Sequence, residues 1–156
     1  MNIGMIDAGI VARAVARFSL PSGHTVVLSS QRGPDCLREL VTELGEGATV
    51  DPVEQAAKLD VVLFAVPRVN TREAFSGLPD WGGGIPIDAT NPFVETSPKL
   101  VLADLGDQGA SETVSSYVPG ARVVNAFNSI VMSNFEGSPK RWDARRVLFV
   151  SGRHRS

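Results

Sequence analysis

Asn2-Ile3-Gly4-Met5-Ile6-Asp7-Ala8-Gly9-Ile10-Val11-Ala12, directly after Met1, is the stretch whose reading decides the fold. Residues 2–6 make a short apolar run, and Asp7-Ala8-Gly9 ends it. The next apolar positions, Ile10, Val11, Ala14, Val15 and Phe18, follow helical spacing. The pattern predicts strand, tight turn and helix. Pro21-Ser22-Gly23 stops the helix, and His24-Thr25-Val26-Val27-Leu28 is β-branched and apolar enough for a second, buried strand.

The unit then repeats. Gly33-Pro34 opens a helix with Leu37, Leu40, Val41 and Leu44 on one face, and Ala48-Thr49-Val50 predicts a third strand. A short helix near 52–58 leads to residues 60–66, the most continuous apolar run, which predicts a central parallel strand buried on both faces. Further strands are expected at 85–88, 122–126 and 146–150, with helices near 69–77, 111–118 and 130–136. Parallel strands need crossover connections, so the alternation implies an α/β fold: a doubly wound, mostly parallel sheet of Rossmann type in a single domain. Segment 93–110 stands out as a long, weakly periodic loop, and loops of that length are usually functional. The chain as read stops soon after its last strand, at residues 151–156, which predicts an open sheet face suited to another subunit, as in a homodimer.

With 156 residues, 43% of them hydrophobic, the chain can bury a real core. A net charge of -2 and the absence of a Lys/Arg stripe argue against nucleic acid as a partner. Arg13, Arg17 and Ser19 interrupt the best apolar candidate well short of the roughly 18 residues a bilayer span needs, so no membrane association is expected. The single Cys36 allows no internal disulfide, and no signal-peptide pattern opens the chain, which makes the cytoplasm the expected location.

The strand–turn–helix start is where a dinucleotide fingerprint, G-x-G-x-x-G, would lie. Its three positions hold Asp7, Gly9 and Ala12. Gly9 keeps the central role, allowing close backbone approach to a pyrophosphate, and Ala12 is an accepted small residue. Asp7 departs from the pattern. Either it caps the helix through the first free N–H groups, or its carboxylate opposes an anionic pyrophosphate and marks a weakened site. At the end of the second strand, Ser29-Ser30-Gln31-Arg32-Gly33 replaces the acidic residue usual for NAD. Hydroxyls and a guanidinium are donors, which suits the 2′-phosphate of NADP; the alternative is a solvated turn with an incidental Arg32. Arg38 reads as a surface charge. His24 and His154 lie beside no evident nucleophile, Cys36 on its amphipathic helix reads as inert core, and no Cys/His set has zinc spacing, so no metal is expected and the catalytic residues are unknown.

Six blocks follow one another in the order of a known family: residues 1–9, 30–34, Ala65-Val66-Pro67, Ile87-Asp88-Ala89-Thr90-Asn91-Pro92, Arg122-Val123-Val124-Asn125-Ala126-Phe127-Asn128, and 146–152. Over nearly its whole length the chain resembles the F420-dependent NADP oxidoreductases. The resemblance implies an NADP-binding Rossmann domain over 1–156, with NADP across the carboxyl edge of the sheet and the deazaflavin coenzyme F420 beside its nicotinamide. It implies that Gly9, Ile10 and Val11 line the pyrophosphate turn, that Ser30 and Arg32 face the 2′-phosphate, and that Ala65, Val66 and Pro67 border the nicotinamide ribose. Asn91 and the segment Ala126-Phe127-Asn128 would approach the nicotinamide, although Asp88 and Asn91 could equally satisfy turn backbone and Phe127 could be ordinary core. The chain departs from the family at Asp7, at Asn125, where many relatives have Lys, and in lacking the family's terminal helices.

The expected function is therefore hydride transfer between NADP(H) and F420 or a similar small redox partner. Such a transfer needs orientation and exclusion of water more than a general acid or base. Two alternatives remain: a non-catalytic NADP-binding or regulatory module, and the nucleotide-binding half of a truncated imine or hydroxyacid reductase.

Overall fold

A computed structural model describes residues 1–67, 70–78, 80–95, 97–135, 137, 140–141 and 143–152. The expected tail residue His154 lies outside the described residues. The opening reading holds: β1 (Asn2–Ile6), α1 (Ile10–Ser19) and β2 (Thr25–Ser29) form the first βαβ unit. Next come α2 (Arg38–Leu44), β3 (Ala48–Val50), α3 (Val53–Ala56), β4 (Val61–Phe64), α4 (Thr71–Phe75) and β5 (Ile85–Asp88). The second half contains β6 (Phe93–Glu95), β7 (Val101–Leu102), α5 (Ala110–Tyr117), β8 (Val124–Ala126), α6 (Met132–Phe135), β9 (Lys140–Arg141), β10 (Ala144–Arg145) and β11 (Val150–Gly152).

Seven strands pair in the order β11-β8-β5-β4-β1-β2-β3. All neighbours run parallel except β11, which lies antiparallel to β8 with Val150 opposite Ala126. The order reverses at β1, whose sequence successor β2 lies on one side and β4 on the other, and ligands of open α/β sheets bind at such a switch point. The fold is Rossmann-like.

Alternating residues of β1 feed two cores. Ile3 and Met5 pack with Ala12, Ala16, Val26, Leu28 and Leu40 on the face covered by α1 and α2. Ile6 joins Val62, Phe64, Phe75, Trp81 and Val114 on the other. Gly4 shares that second face, where a Cβ would stand 2.2 Å from the Ala56 carbonyl oxygen, so glycine is what lets α3 approach β1. Between the helices of the first face, Arg17 meets Glu43 at 2.6 Å. The bond and charge of that guanidinium lower the exposed Glu43 carboxyl below its ordinary range.

Several expectations need correction. The packed side of α1 is alanine-rich, with Ala12, Ala14 and Ala16 buried, while Ile10 is 69% exposed and Phe18 also faces outward. Alanines let the helix lie close on the sheet; Ile10 sits in the first turn, beyond that contact. The helix expected from residue 34 begins as a 3-10 turn, Pro34–Leu37, so Cys36 is exposed rather than inert core, its thiol donating to the Gly33 carbonyl. Segment 93–110 is not structureless: β6 and β7 form a small antiparallel ribbon. The last strand comes later than 146–150, because antiparallel pairing to β8 starts at Val150 and leaves Val147, Leu148 and Phe149 exposed.

Candidate functional site

Strand register assembles the site. Ile6 pairs with Ser29 on one side and Phe64 on the other, so Asp7, Ser30 and Ala65 leave the sheet side by side. The Ala65 amide donates to the Ile6 carbonyl at 3.4 Å and the Ala89 amide to the Phe64 carbonyl at 2.9 Å, extending the ladder past the strand ends. Ser29, fully buried, donates its hydroxyl to the Met5 carbonyl at 2.8 Å and pins β2 to β1 directly before the turn.

A cavity of about 270 Å³ opens at this edge, and Asp7, Ser30, Gln31, Arg32, Val66 and Pro67 line it together with Ile6, Asn70 and Ala74. The Ser30 turn is tied by two bonds: the Gly33 amide donates to the Ser30 carbonyl at 3.0 Å, and the Arg32 amide to the Ser30 hydroxyl at 3.2 Å. Gly33 has φ +89°, which only glycine takes readily, and this lets the chain turn away and leave the Arg32 side chain exposed at the rim. Arg38, expected as a surface charge, is exposed and pairs with Asp35 at 2.7 Å.

The glycine turn adjoins this cavity. Gly9 occupies the N-cap of α1, no side chain caps that terminus, and its first turn carries no acidic residue. The leading amides of a helix have no intrahelical acceptor, so those of Ile10 and Val11 can receive an anion. A Cβ on Gly9 would meet nothing closer than 3.8 Å, where the Ala65 carbonyl oxygen and the Asp7 Oδ2 lie, so no protein group packs on this backbone. These features fit a dinucleotide pyrophosphate. The cap reading of Asp7 fails: its carboxylate takes the Ala8 amide at 2.8 Å, one residue short of the helix. Asp7 holds φ +72°, the left-handed conformation that the motif's first glycine supplies without cost.

Asn91 and Ala126 lie further along the same edge, past β5 and at the end of β8, outside this cavity. Between them is a polar cluster that residue spacing alone did not resolve. Buried Asp88 accepts from the Thr90 amide at 2.9 Å and the Thr90 hydroxyl at 2.7 Å, the turn-satisfying role expected as its alternative. Asn125 donates to the Ser111 hydroxyl at 2.8 Å, and Asn128 to the Thr90 carbonyl. The Asn128 Oδ1 is buried with no partner among the described residues, and the preceding Phe127 has φ +68°. Phe127 also packs edge-on against Phe135, so it is partly core. Asn70 and Ala74 were missed; a polar residue three after Pro67, opening a helix, was the available signal. Among the described residues, no group of three His, Cys, Asp or Glu side chains could hold a metal ion, and no helix is long and apolar enough to cross a membrane.

Comparison with known structures agrees with this fold. A hypothetical protein of Sinorhizobium meliloti superposes with a TM-score of 0.89 at 32% identity, over 99% of this chain and 74% of that one. A candidate F420-dependent NADP reductase of Arthrobacter sp. FB24 gives 0.83 at 20% identity over the same shares, a likeness of fold. A reductive aminase of Aspergillus terreus, solved with NADPH and ethyl-5-oxohexanoate, gives 0.58 at 17% identity, over 80% of this chain and 39% of that one, again a likeness of fold. No curated protein matches the chain. Residues 2–92 match the family model described as NADP oxidoreductase, coenzyme F420-dependent, and the chain belongs to that family.

Proposed function

We propose that this chain binds NADP(H) across the carboxyl edge of its sheet and passes a hydride between the nicotinamide and coenzyme F420 or a similar small redox partner. The observation that carries the reading is the cavity in which Ser30 and Arg32 stand beside the glycine turn at the switch point. Arg32 and Ser30 would hold the 2′-phosphate, a fork of donors against an anion, and the amides at Gly9, Ile10 and Val11 the pyrophosphate. Ala65, Val66 and Pro67 would border the nicotinamide ribose. Asn91 and Ala126, further along the edge, would approach the ring.

When bound, the nicotinamide supplies the hydride or takes it up. The chain's own part is to orient the two reactants and keep water away, which can contribute as much as about 7–11 kcal/mol to a barrier without any acid or base. The family's description names both coenzymes, and the Aspergillus terreus reductive aminase was solved with NADPH. Residues 1–156 would act as one NADP-binding domain.

Titration with NADPH and NADH, followed by fluorescence transfer or heat, tests the nucleotide. Binding of NADPH at micromolar concentrations with weaker NADH binding is expected, and binding of neither overturns the reading. Mixing the NADPH complex with oxidised F420 and following the loss of its absorbance tests the partner. Asp7, in the place of the first glycine, favours a second reading, a non-catalytic NADP-binding module. Tight binding with no redox turnover would select it.

A further inference from the structure

We propose that Asp7 reads the adenosine ribose, its carboxylate accepting the ribose hydroxyls in the same cavity where Arg32 faces the 2′-phosphate. The inference rests on the NADP(H) reading above.

Three observations place the carboxylate there. First, Asp7 lines the cavity together with Ser30, Gln31 and Arg32 from the end of β2, and its Oδ2 stands between that wall and the glycine turn, 3.8 Å from where a Gly9 Cβ would lie. Second, the side chain is held on one oxygen only: Oδ1 accepts from the Ala8 amide at 2.8 Å, and Oδ2 has no donor among the described residues. Third, the left-handed backbone at Asp7, φ +72°, is uncommon for a residue with a side chain, and such residues cluster at ligand clamps. One oxygen anchored and one without a donor, in a cavity whose wall also carries Arg32, is an arrangement that can take a donor.

The ribose supplies it. In NAD-type domains an acidic residue at the end of the second strand accepts the ribose diol. This chain lacks that residue, and Asp7 offers the same chemistry from the end of β1, across the register pair Ile6 and Ser29. NAD(H) presents two hydroxyls to the carboxylate. NADP(H) presents one, because its second position carries a phosphate, and that phosphate lies close to a like charge. Arg32 and Asp7 therefore pull coenzyme choice in opposite directions, and the chain's preference is the difference between them.

The test compares dissociation constants for NADPH and NADH by calorimetry in the wild type, Asp7→Asn and Asp7→Gly. Asparagine and glycine both tolerate the left-handed backbone, so both variants should fold, and a thermal melt checks this. Losing the carboxylate should raise the NADH-to-NADPH ratio of dissociation constants about tenfold, mostly through weaker NADH. An equal change for both coenzymes would place Asp7 at the pyrophosphate they share, and no change would make it a bystander; either overturns the inference while leaving the NADP(H) reading intact. Wild-type protein that binds neither coenzyme overturns both.

Discussion

Truncating Arg32 to alanine separates a phosphate ligand from an incidental surface cation. The backbone at this position is insulated from the change, because the Arg32 amide, not its side chain, donates to the Ser30 hydroxyl at 3.2 Å. What disappears is a guanidinium on the wall of a cavity of about 270 Å³. A hydrogen bond to a charged group contributes about 1.5–3 kcal/mol, or about 10- to 150-fold in affinity. Arg32 is exposed, so solvent and salt screen it and the lower end applies: about a tenfold rise in the NADPH dissociation constant near 0.15 M salt. NADH lacks the 2′-phosphate and should change by less than about twofold, well under 1 kcal/mol. Titrating both coenzymes at low and high salt gives a further check, since the NADPH effect should shrink as salt rises. Equal losses for the two coenzymes would refute the assignment.

Three other expectations follow from the packing. Gly4→Ala forces a methyl to within 2.2 Å of the Ala56 carbonyl oxygen, and overpacking against backbone should cost about 3 kcal/mol, lowering the melting temperature by roughly 5–10 °C; a melt within about 1 °C of the parent would contradict the close α3 contact. Cys36 is exposed, so a thiol reagent should modify it in the folded protein, and modification only after denaturation would show it buried. Exposed Val147, Phe149 and Val150 should make the chain self-associate as concentration rises, with Phe149→Glu reversing it; light scattering that shows a monomer for the wild type throughout would reject this.

The first half was legible because its signals are local. The apolar run 2–6, the break at Asp7-Ala8-Gly9 and the Gly33-Pro34 punctuation each fix a backbone choice within a few residues, and the structure places β1, α1 and β2 accordingly. The cavity was legible for the same reason: residues 7, 30, 66 and 67 follow strand ends, and parallel register brings strand ends together, although Ala65, beside them, is not in the lining. Side-chain direction was less accessible. The spacing of Ile10 and Phe18 matched a helical face, yet small alanines on the neighbouring stripe win the sheet contact, because their size sets how close α1 can lie. At β11 the apolar residues 147–150 read as a strand, but antiparallel pairing is decided by a partner more than twenty residues away, and periodicity carries no such information. Asp7 failed as a helix cap for a geometric reason: its carboxylate turns back to its own neighbour's amide.

β1 sends Ile3 and Met5 into one core and Ile6 into the other. The loop that follows it is thus clamped from above and below, and its aim depends on both helical layers at once. Loosening either layer, at a residue no coenzyme ever touches, would let that loop wander, and catalytic geometry lost through a shift of an ångström is costly. Affinity for the dinucleotide should then serve as a gauge of how well the whole sandwich is assembled.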